Sequence, residues 1–327
     1  MARTAARIAW ILALLVGAAA SPCAATDAAD RFIPMPVERG DGSIITASVI
    51  RATAPKSPIV LMLQGSSCAA ERDGFASLTR PWRGRFALLF IPKPGGREDG
   101  SCGPDYLSRN TISQRLADIE TVVGRLRRQP WWDHRLYVIG GSEGGLMAGL
   151  TAAHVPETQR TAILSYGGDL TMGEWWPEAA YAAVLKQTGS AEKAAAEREE
   201  TRAVFERARR QPDSTETYDG DTNTLKWWAS IIDLRLLPAL LTVRKPNLLV
   251  HGSADPYAPV EGARGVERAF RAAGKSNLTY RELAGLDHAY GDDKGGSHLE
   301  EVLNDSLAWL LGPPERTPRR ARPGRSD

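Results

Sequence analysis

The segment that most constrains the fold is a short apolar run, residues 136–139, that ends in the sequence Gly-Gly-Ser-Glu-Gly-Gly. Ser142 lies between Gly140 and Gly144, and helix-forming residues resume directly afterwards. The pattern predicts a strand that turns sharply into a helix, with Ser142 at the turn in a strained backbone conformation. Side chains at the two glycine positions would collide with the strand or the helix. Such a turn is typical of a nucleophilic serine, although glycine-rich turns also close ordinary strand–helix connections.

A serine hydroxyl is a weak nucleophile at neutral pH, so it needs a histidine base and a carboxylate that orients the histidine. Residues 247–250 are typical of a buried strand, and the loop that follows them carries Asp255. Residues 277–283 alternate like a strand, and the next loop carries His288. Ser142, Asp255 and His288 therefore each follow a predicted strand, and they occur in that order along the chain.

With these residues, the chain resembles the α/β-hydrolase fold over residues 42–311. The resemblance rests on the serine turn, on the spacing of Gly252, Asp255 and Pro259, and on His288 after the last predicted strand. It implies an α/β protein with a mostly parallel central sheet, flanked by helices and interrupted by a helical cap. It also implies that Ser142 is the nucleophile, His288 the general base and acid, and Asp255 the residue that orients the histidine.

Other histidines and carboxylates near these positions have different explanations. Ser297 and Glu300 have capping-box spacing, so His298 is expected in the first turn of the final helix. His251 ends a predicted strand, where a histidine of the core is expected. Two aspartates, at positions 287 and 292, flank His288, but Asp255 has the better sequence context.

The oxyanion hole of such an enzyme needs two backbone N–H groups that point at one position. Glu143 supplies the first group because it follows the serine. The second is expected after the apolar run 57–63, where Gln64 and Gly65 replace the His-Gly pair of many relatives. We assign the second donor to Ser66, although Ser67 is the alternative and a plain strand-to-loop turn would have the same sequence.

Further predicted elements give the order of the chain. Residues 42–51, 86–91 and 161–165 are typical of strands, and residues 111–128 have the apolar spacing of a helix that faces the sheet. From residue 169 to residue 241 no strand is evident, which predicts the helical cap between the serine and aspartate strands.

The cap carries two tryptophan pairs, and tryptophans close to an active site can form the wall of an apolar or aromatic pocket. The alternative is that they anchor the cap helices to the core. The four residues are Trp175, Trp176, Trp227 and Trp228.

The two ends of the chain are basic and differ from the rest. Residues 1–25 have a basic start, an apolar centre and small residues before Thr26, as in a secretory signal peptide, and Pro22 before Cys23 argues against lipidation. Residues 313–327 contain five arginines and four prolines and are expected to be disordered. The net charge of +2 comes from these ends, so residues 26–312, the expected hydrolase domain, give no indication of nucleic-acid binding.

Removal of the signal peptide would leave two cysteines, Cys68 and Cys102. Both lie in predicted surface loops, and an oxidising compartment would allow them to form a disulfide. Two free thiols are the alternative. The sequence thus predicts a periplasmic or secreted protein without stable membrane insertion after cleavage.

Together these features predict an exported serine hydrolase that cleaves a carboxylic ester of a small-molecule acyl substrate, with no cofactor and no metal. A serine peptidase of the prolyl-oligopeptidase type is the first alternative, and dienelactone hydrolases have a similar serine turn and acid loop. A binding protein that kept the fold without catalysis is the second alternative. The oligomeric state does not follow from the sequence.

Overall fold

A computed structural model of the chain describes residues 32–68, 72–82, 84–96, 102–218 and 223–312. The expected signal peptide and the basic tail lie outside these residues. The strands of the central sheet are β1 (Ile33–Glu38), β2 (Ile44–Ile50), β3 (Ser57–Leu63), β4 (Ala87–Phe90), β5 (Trp132–Gly141), β6 (Thr158–Leu164), β7 (Asn247–Gly252) and β8 (Leu278–Leu283).

The sheet has eight strands in the order β1-β2-β4-β3-β5-β6-β7-β8. The pairs β1–β2 and β2–β4 are antiparallel, and all other pairs are parallel. All seven residues of β3 are buried, as expected for an apolar strand whose two faces are both covered by helices. This is the predicted α/β-hydrolase architecture. Strand β1 was not predicted, because its isoleucine end is exposed and two prolines interrupt its sequence.

Helices cover both faces of the sheet. They are α1 (Arg72–Leu78), α2 (Pro104–Arg109), α3 (Ile112–Leu126), α4 (Glu143–His154), α5 (Met172–Thr188), α6 (Ala191–Arg210), α7 (Leu225–Ile231), α8 (Leu237–Thr242), α9 (Val260–Ala272) and α10 (Leu299–Leu311). One core cluster joins the sheet to α3, α4, α9 and the helices α5 to α8. A second cluster joins the other face to α1 and α10.

The predicted insertion between β6 and β7 consists of the helices α5 to α8. Helix α5 begins with a capping box between Thr171 and Glu174 and ends at Gly189 in the left-handed conformation, which is the usual pair of signals for a helix start and stop. Among the described residues of this insertion no strand is present, apart from an isolated bridge between Thr217 and Thr224. No described helix is long and apolar enough to cross a lipid bilayer.

Two local expectations were wrong. His298 and not Ser297 occupies the N-cap position of helix α10, and no side-chain capping bond is found there. Cys68 is buried rather than at the surface. It forms the predicted disulfide with Cys102, with a Cα–Cα distance of 5.8 Å.

Candidate active site

Ser142 lies where β5 ends and α4 begins, as the sequence predicts. Its backbone has φ 56° and ψ −125°, a conformation that is strained for a residue with a side chain. A Cβ atom on Gly140 would overlap the carbonyl group of Gly144, and one on Gly144 would overlap the carbonyl oxygen of Leu63. The glycines at both positions are therefore required by close backbone packing, and this packing holds the serine at the turn.

Asp255 and His288 come together from the loops after β7 and β8. The Nδ1 atom of His288 lies 2.7 Å from Oδ2 of Asp255. The other oxygen, Oδ1, accepts the backbone N–H groups of Tyr257 and Ala258 at 2.8 and 2.9 Å. The carboxylate is fully buried and the imidazole is 15% exposed. The aspartate is thus fixed by its own loop, and it holds the imidazole of His288 through Nδ1.

The histidines that the sequence analysis set aside lie in different surroundings. His251 is fully buried, with Nε2 2.8 Å from the carbonyl oxygen of Ala258 and 3.4 Å from Oδ2 of Asp255. Burial lowers the pKa of His251, against the opposing effect of Asp255. His298 contacts Asp292 and Glu301 at the surface, and the hydrogen bonds to these carboxylates raise its pKa.

The flanking aspartates bond within their own turns. Asp287 accepts the N–H groups of Ala289 and Gly291, and Asp292 accepts those of Lys294 and Gly296. Among the described residues the imidazole of His288 bonds to Asp255 and not to either of these carboxylates, so they shape the loop around it.

Ser142 and His288 line one cavity together with the cap. All four predicted tryptophans contribute to this aromatic cavity, as do Ser66 and Glu143. Its lining is Ser66, Ser142, Glu143, Ser165, Tyr166, Met172, Trp175, Trp176, Trp227, Trp228, Tyr257, Ala258 and His288.

The tryptophans also pack on one another, so both sequence interpretations describe part of their arrangement. Ring centroids are 5.2 Å apart for Trp175 and Trp176, 5.9 Å for Trp176 and Trp228, and 4.7 Å for Trp227 and Trp228. Phe205 of α6 stacks 5.2 Å from Trp228. The side chains therefore anchor the cap and form a wall of the cavity.

Sequence reasoning missed Tyr166 and Tyr257, which also line the aromatic cavity. Tyr257 lies edge-on to the imidazole of His288, with ring centroids 5.6 Å apart. Burial, with a smaller effect of the Glu143 carboxylate, raises the pKa of Tyr166, so its hydroxyl stays protonated. Tyr166 lies two residues after the end of β6 and Tyr257 lies in the loop after β7, and this position after a strand is the signal that could have identified them.

A second, largely apolar cavity reaches Ser142 and His288 from the other face of the sheet. Phe75 and Leu78 of α1, with Leu299 and Leu303 of α10, form its wall. The serine and the histidine therefore lie between an aromatic and an aliphatic environment.

The two predicted oxyanion donors lie beside the serine. Glu143 is the first residue of α4, and the first N–H groups of a helix have no partner within it. Ser66 follows Gly65, where an added Cβ would lie 3.9 Å from the Cβ of Ser142. The Glu143 side chain turns inward and forms ion pairs with Lys93 and Arg115. The two cations were not predicted, because nothing in the sequence distinguishes them from surface residues.

Among the described residues no group of three or more His, Cys, Asp or Glu side chains has the arrangement of a metal site.

Comparisons with known proteins agree with this fold. Est1E from Butyrivibrio proteoclasticus is 16% identical, with a TM-score of 0.55 over 85% of this chain and 97% of that one. An esterase of Pyrococcus furiosus is 16% identical, with a TM-score of 0.58 over 86% and 92%. The acylaminoacyl peptidase of Pyrococcus horikoshii is 15% identical, with a TM-score of 0.56 over 90% of this chain but 43% of that one.

No curated protein sequence matches the chain. The model of the prolyl oligopeptidase family matches residues 86–312, a segment that includes the serine turn, the cap and the loops of Asp255 and His288. The chain therefore belongs to the prolyl oligopeptidase family and is a serine hydrolase of the α/β-hydrolase fold.

Proposed function

We propose that the protein hydrolyses a carboxylic ester through an acyl-enzyme on Ser142. The observation that carries this proposal is the 2.7 Å contact between His288 and Asp255, in a cavity that Ser142 and His288 line together. Within the serine hydrolases, this arrangement supports base-assisted attack by the serine.

In the proposed reaction, Ser142 Oγ attacks the ester carbonyl carbon while its proton passes to Nε2 of His288. The C–O bond to the leaving group then breaks, and His288 returns the proton to the departing alcohol. Water hydrolyses the acyl-enzyme by the same two steps, which restores the serine and releases the acid. Asp255 keeps the Nδ1–H of His288 in place and stabilises the imidazolium that forms in each half of the cycle.

The negative charge on the carbonyl oxygen would be bound by the backbone N–H groups of Glu143 and Ser66. Both residues line the aromatic cavity next to Ser142. Backbone donors of this kind are held by the fold and need no reorganisation when the charge develops.

The lining of the aromatic cavity favours an acyl group that carries hydrogen-bond acceptors. Four of its lining side chains have a buried polar atom without a partner among the described residues: Ser66 Oγ, Tyr166 Oη, Trp227 Nε1 and Trp228 Nε1. A buried donor without a partner costs roughly 1–3 kcal/mol. A substrate oxygen that accepts one of these bonds would recover part of this cost.

Peptide or amide hydrolysis is the second candidate. It is favoured by the family match and by the likeness to the acylaminoacyl peptidase of Pyrococcus horikoshii. This chain spans less than half of that peptidase. Hydrolysis of peptides by this chain is therefore a separate proposal.

Export to the periplasm or the medium is also proposed. The support is the pattern of residues 1–25 and the disulfide between Cys68 and Cys102, since such bonds persist in oxidising compartments.

The purified mature protein tests the main proposal with a fluorophosphonate probe, followed by p-nitrophenyl esters and Xaa-Pro amides side by side. We expect labelling that is lost in Ser142→Ala and ester turnover well above amide turnover. Faster amide cleavage would favour the peptidase, and absence of labelling would favour a binding protein.

A further inference from the structure

Three charged side chains are buried together directly behind the serine turn. The exposed fraction of the side chain is 0% for Lys93, 5% for Arg115 and 2% for Glu143. Nζ of Lys93 lies 3.1 Å from one carboxylate oxygen of Glu143, and the Arg115 guanidinium bonds to the other. Removing ions from water costs several kcal/mol each, so this cluster needs an explanation beyond stability.

Arg115 has a second contact that leads to the other side of the site. Its second terminal nitrogen donates to the backbone carbonyl oxygen of Gln64 at 3.2 Å. Gln64 lies just after β3 and two residues before Ser66. One guanidinium therefore joins the segment that carries Ser66 to the segment that carries Glu143.

The two joined segments already pack against each other at the backbone. A Cβ atom on Gly144 would lie 2.9 Å from the carbonyl oxygen of Gln64. Contact of this kind sets the distance between the segments, but it does not fix the direction of their peptide groups. The hydrogen bond from Arg115 orients the Gln64 carbonyl directly, and its ion pair holds the side chain of Glu143 in place beside it.

The guanidinium itself is carried by a rigid element. Arg115 lies in the first turn of α3, whose N-cap Thr111 accepts the N–H of Gln114. The backbone N–H of Ile112 also donates to the hydroxyl of Ser230 in α7. The start of α3 is therefore fixed by its N-cap residue, Thr111, and by helix α7 of the helical insertion.

We propose that Arg115 is a positioning residue that aligns the two backbone donors of the oxyanion hole. This inference rests on the proposed function, because the donors matter only if Ser142 forms a tetrahedral intermediate. Arg115 would act through the peptide groups of Ser66 and Glu143, and it would not touch the substrate.

The test compares R115M and R115K with the control variant R39M. Arg39 follows β1 and forms a bidentate ion pair with Asp118 of helix α3, at 2.7 Å for both bonds, and both side chains are largely buried. R39M thus removes a buried ion pair to the same helix, and the side chain of Arg39 bonds to Asp118, Ser43 and Ile44 rather than to Gln64 or Glu143. Thermal unfolding reports the stability loss of each variant.

We expect kcat of R115M to fall about tenfold to a hundredfold, because loss of one oxyanion donor costs about 10²–10³ in kcat and misalignment costs less. KM should change less than about threefold, since ground-state binding is retained. The affinity for a trifluoromethyl ketone, whose oxygen becomes an oxyanion when Ser142 adds to it, should fall with kcat/KM. R115K should recover part of kcat, and R39M should keep kcat within about twofold.

Wild-type kcat in folded R115M, or a loss in KM alone, would overturn the inference. If R115M does not fold, R115K decides: a kcat and a ketone affinity equal to wild type would overturn it, because an ammonium cannot reproduce both contacts of the guanidinium. If instead Ser142→Ala keeps full activity, the proposed function fails first. Phosphonate labelling of Ser142 in wild type, with unchanged kcat in the Arg115 variants, rejects only the positioning role.

Discussion

At the scale of single residues, the candidate site depends on a few backbone and side-chain contacts. Asp255 makes three short hydrogen bonds, two to its own loop and one to His288. An acid held in this way keeps the imidazole in one orientation, so the serine, the histidine and the aspartate are expected to act as one unit. Their effects in single variants should therefore be far from additive.

The first prediction follows from that unit. Ser142→Ala and His288→Ala should each lower kcat/KM for an ester by at least about a thousandfold. Asp255→Asn should also impair turnover. His298→Ala is the matched control, because His298 bonds to Asp292 and Glu301 at the surface. Steady-state kinetics on a p-nitrophenyl ester make the comparison, and full activity in His288→Ala would refute the assignment.

A second prediction concerns the buried His251, whose pKa is lowered from 6.5 by burial. Because the native-state pKa is lower, the unfolded chain binds a proton at this histidine more readily than the native state as the pH falls below about 6.5. His251 therefore makes the free energy of unfolding fall as the pH drops below 6.5. His298 acts in the opposite direction, because its pKa is raised and its protonated form is stabilised in the native state.

Chemical denaturation between pH 7.5 and pH 5.5 tests this sign. The loss of unfolding free energy over this range should be smaller in His251→Gln than in wild type. His298→Gln should show a slightly larger loss than wild type, since it removes a favourable protonation. An unchanged pH slope in His251→Gln would mean that the native state binds a proton at His251 as readily as the unfolded chain does.

At the scale of elements, the serine turn and the last strands were predictable because their signals are local. The Gly-x-Ser-x-Gly sequence after an apolar run specifies strand, turn and helix within fifteen residues, and β7 and β8 follow from simple apolar patterns. Strand β1 was not predictable, since its place depends on pairing with β2, which is not visible in its own sequence. The ion cluster of Lys93, Arg115 and Glu143 joins residues from three distant segments. It was not predictable, because a single charged residue in a sequence does not indicate which other residue it pairs with.

A third prediction belongs to the cap helices α5 and α7, which carry the four tryptophans. Trp175→Ala should change the preference among acyl groups mainly through KM, because the indole lines the aromatic cavity without a role in proton transfer. Aromatic burial changes affinity by a few kcal/mol at most, so an acetyl ester should lose little. Kinetics on esters of increasing acyl size make the test, with circular dichroism to confirm folding. A uniform fall of kcat on all esters would show that the cap supports the catalytic geometry itself.

At the scale of the whole molecule, the loops of the site lie together at the carboxyl ends of the parallel strands, and the helical cap covers them. The loops of Ser142, Asp255 and His288 leave three parallel strands at the same edge, and the insertion between β6 and β7 brings the tryptophans there. The sequence order of strands and helices was enough to predict this layout, because right-handed crossovers leave few alternatives. The second, aliphatic cavity was not predictable, since its lining comes from α1, α10 and several strand ends.

The last prediction concerns the disulfide that joins the segment after β3 to the start of α2. Cys68 and Cys102 are separated by 34 residues, and closure of a loop of that size contributes roughly 3–4 kcal/mol in the chain-entropy model. Protein recovered from the periplasm or the medium should show the linked peptides by mass spectrometry without reduction.

Cys68 follows Ser66 by two residues, so the bond also restrains the segment that carries the second oxyanion donor. Reduction, or the double variant C68S/C102S, should therefore lower the melting temperature and also lower kcat more than it raises KM. Two thiols that are freely alkylated in native exported protein would contradict the bond, and a lower melting temperature with unchanged kcat would limit its role to stability.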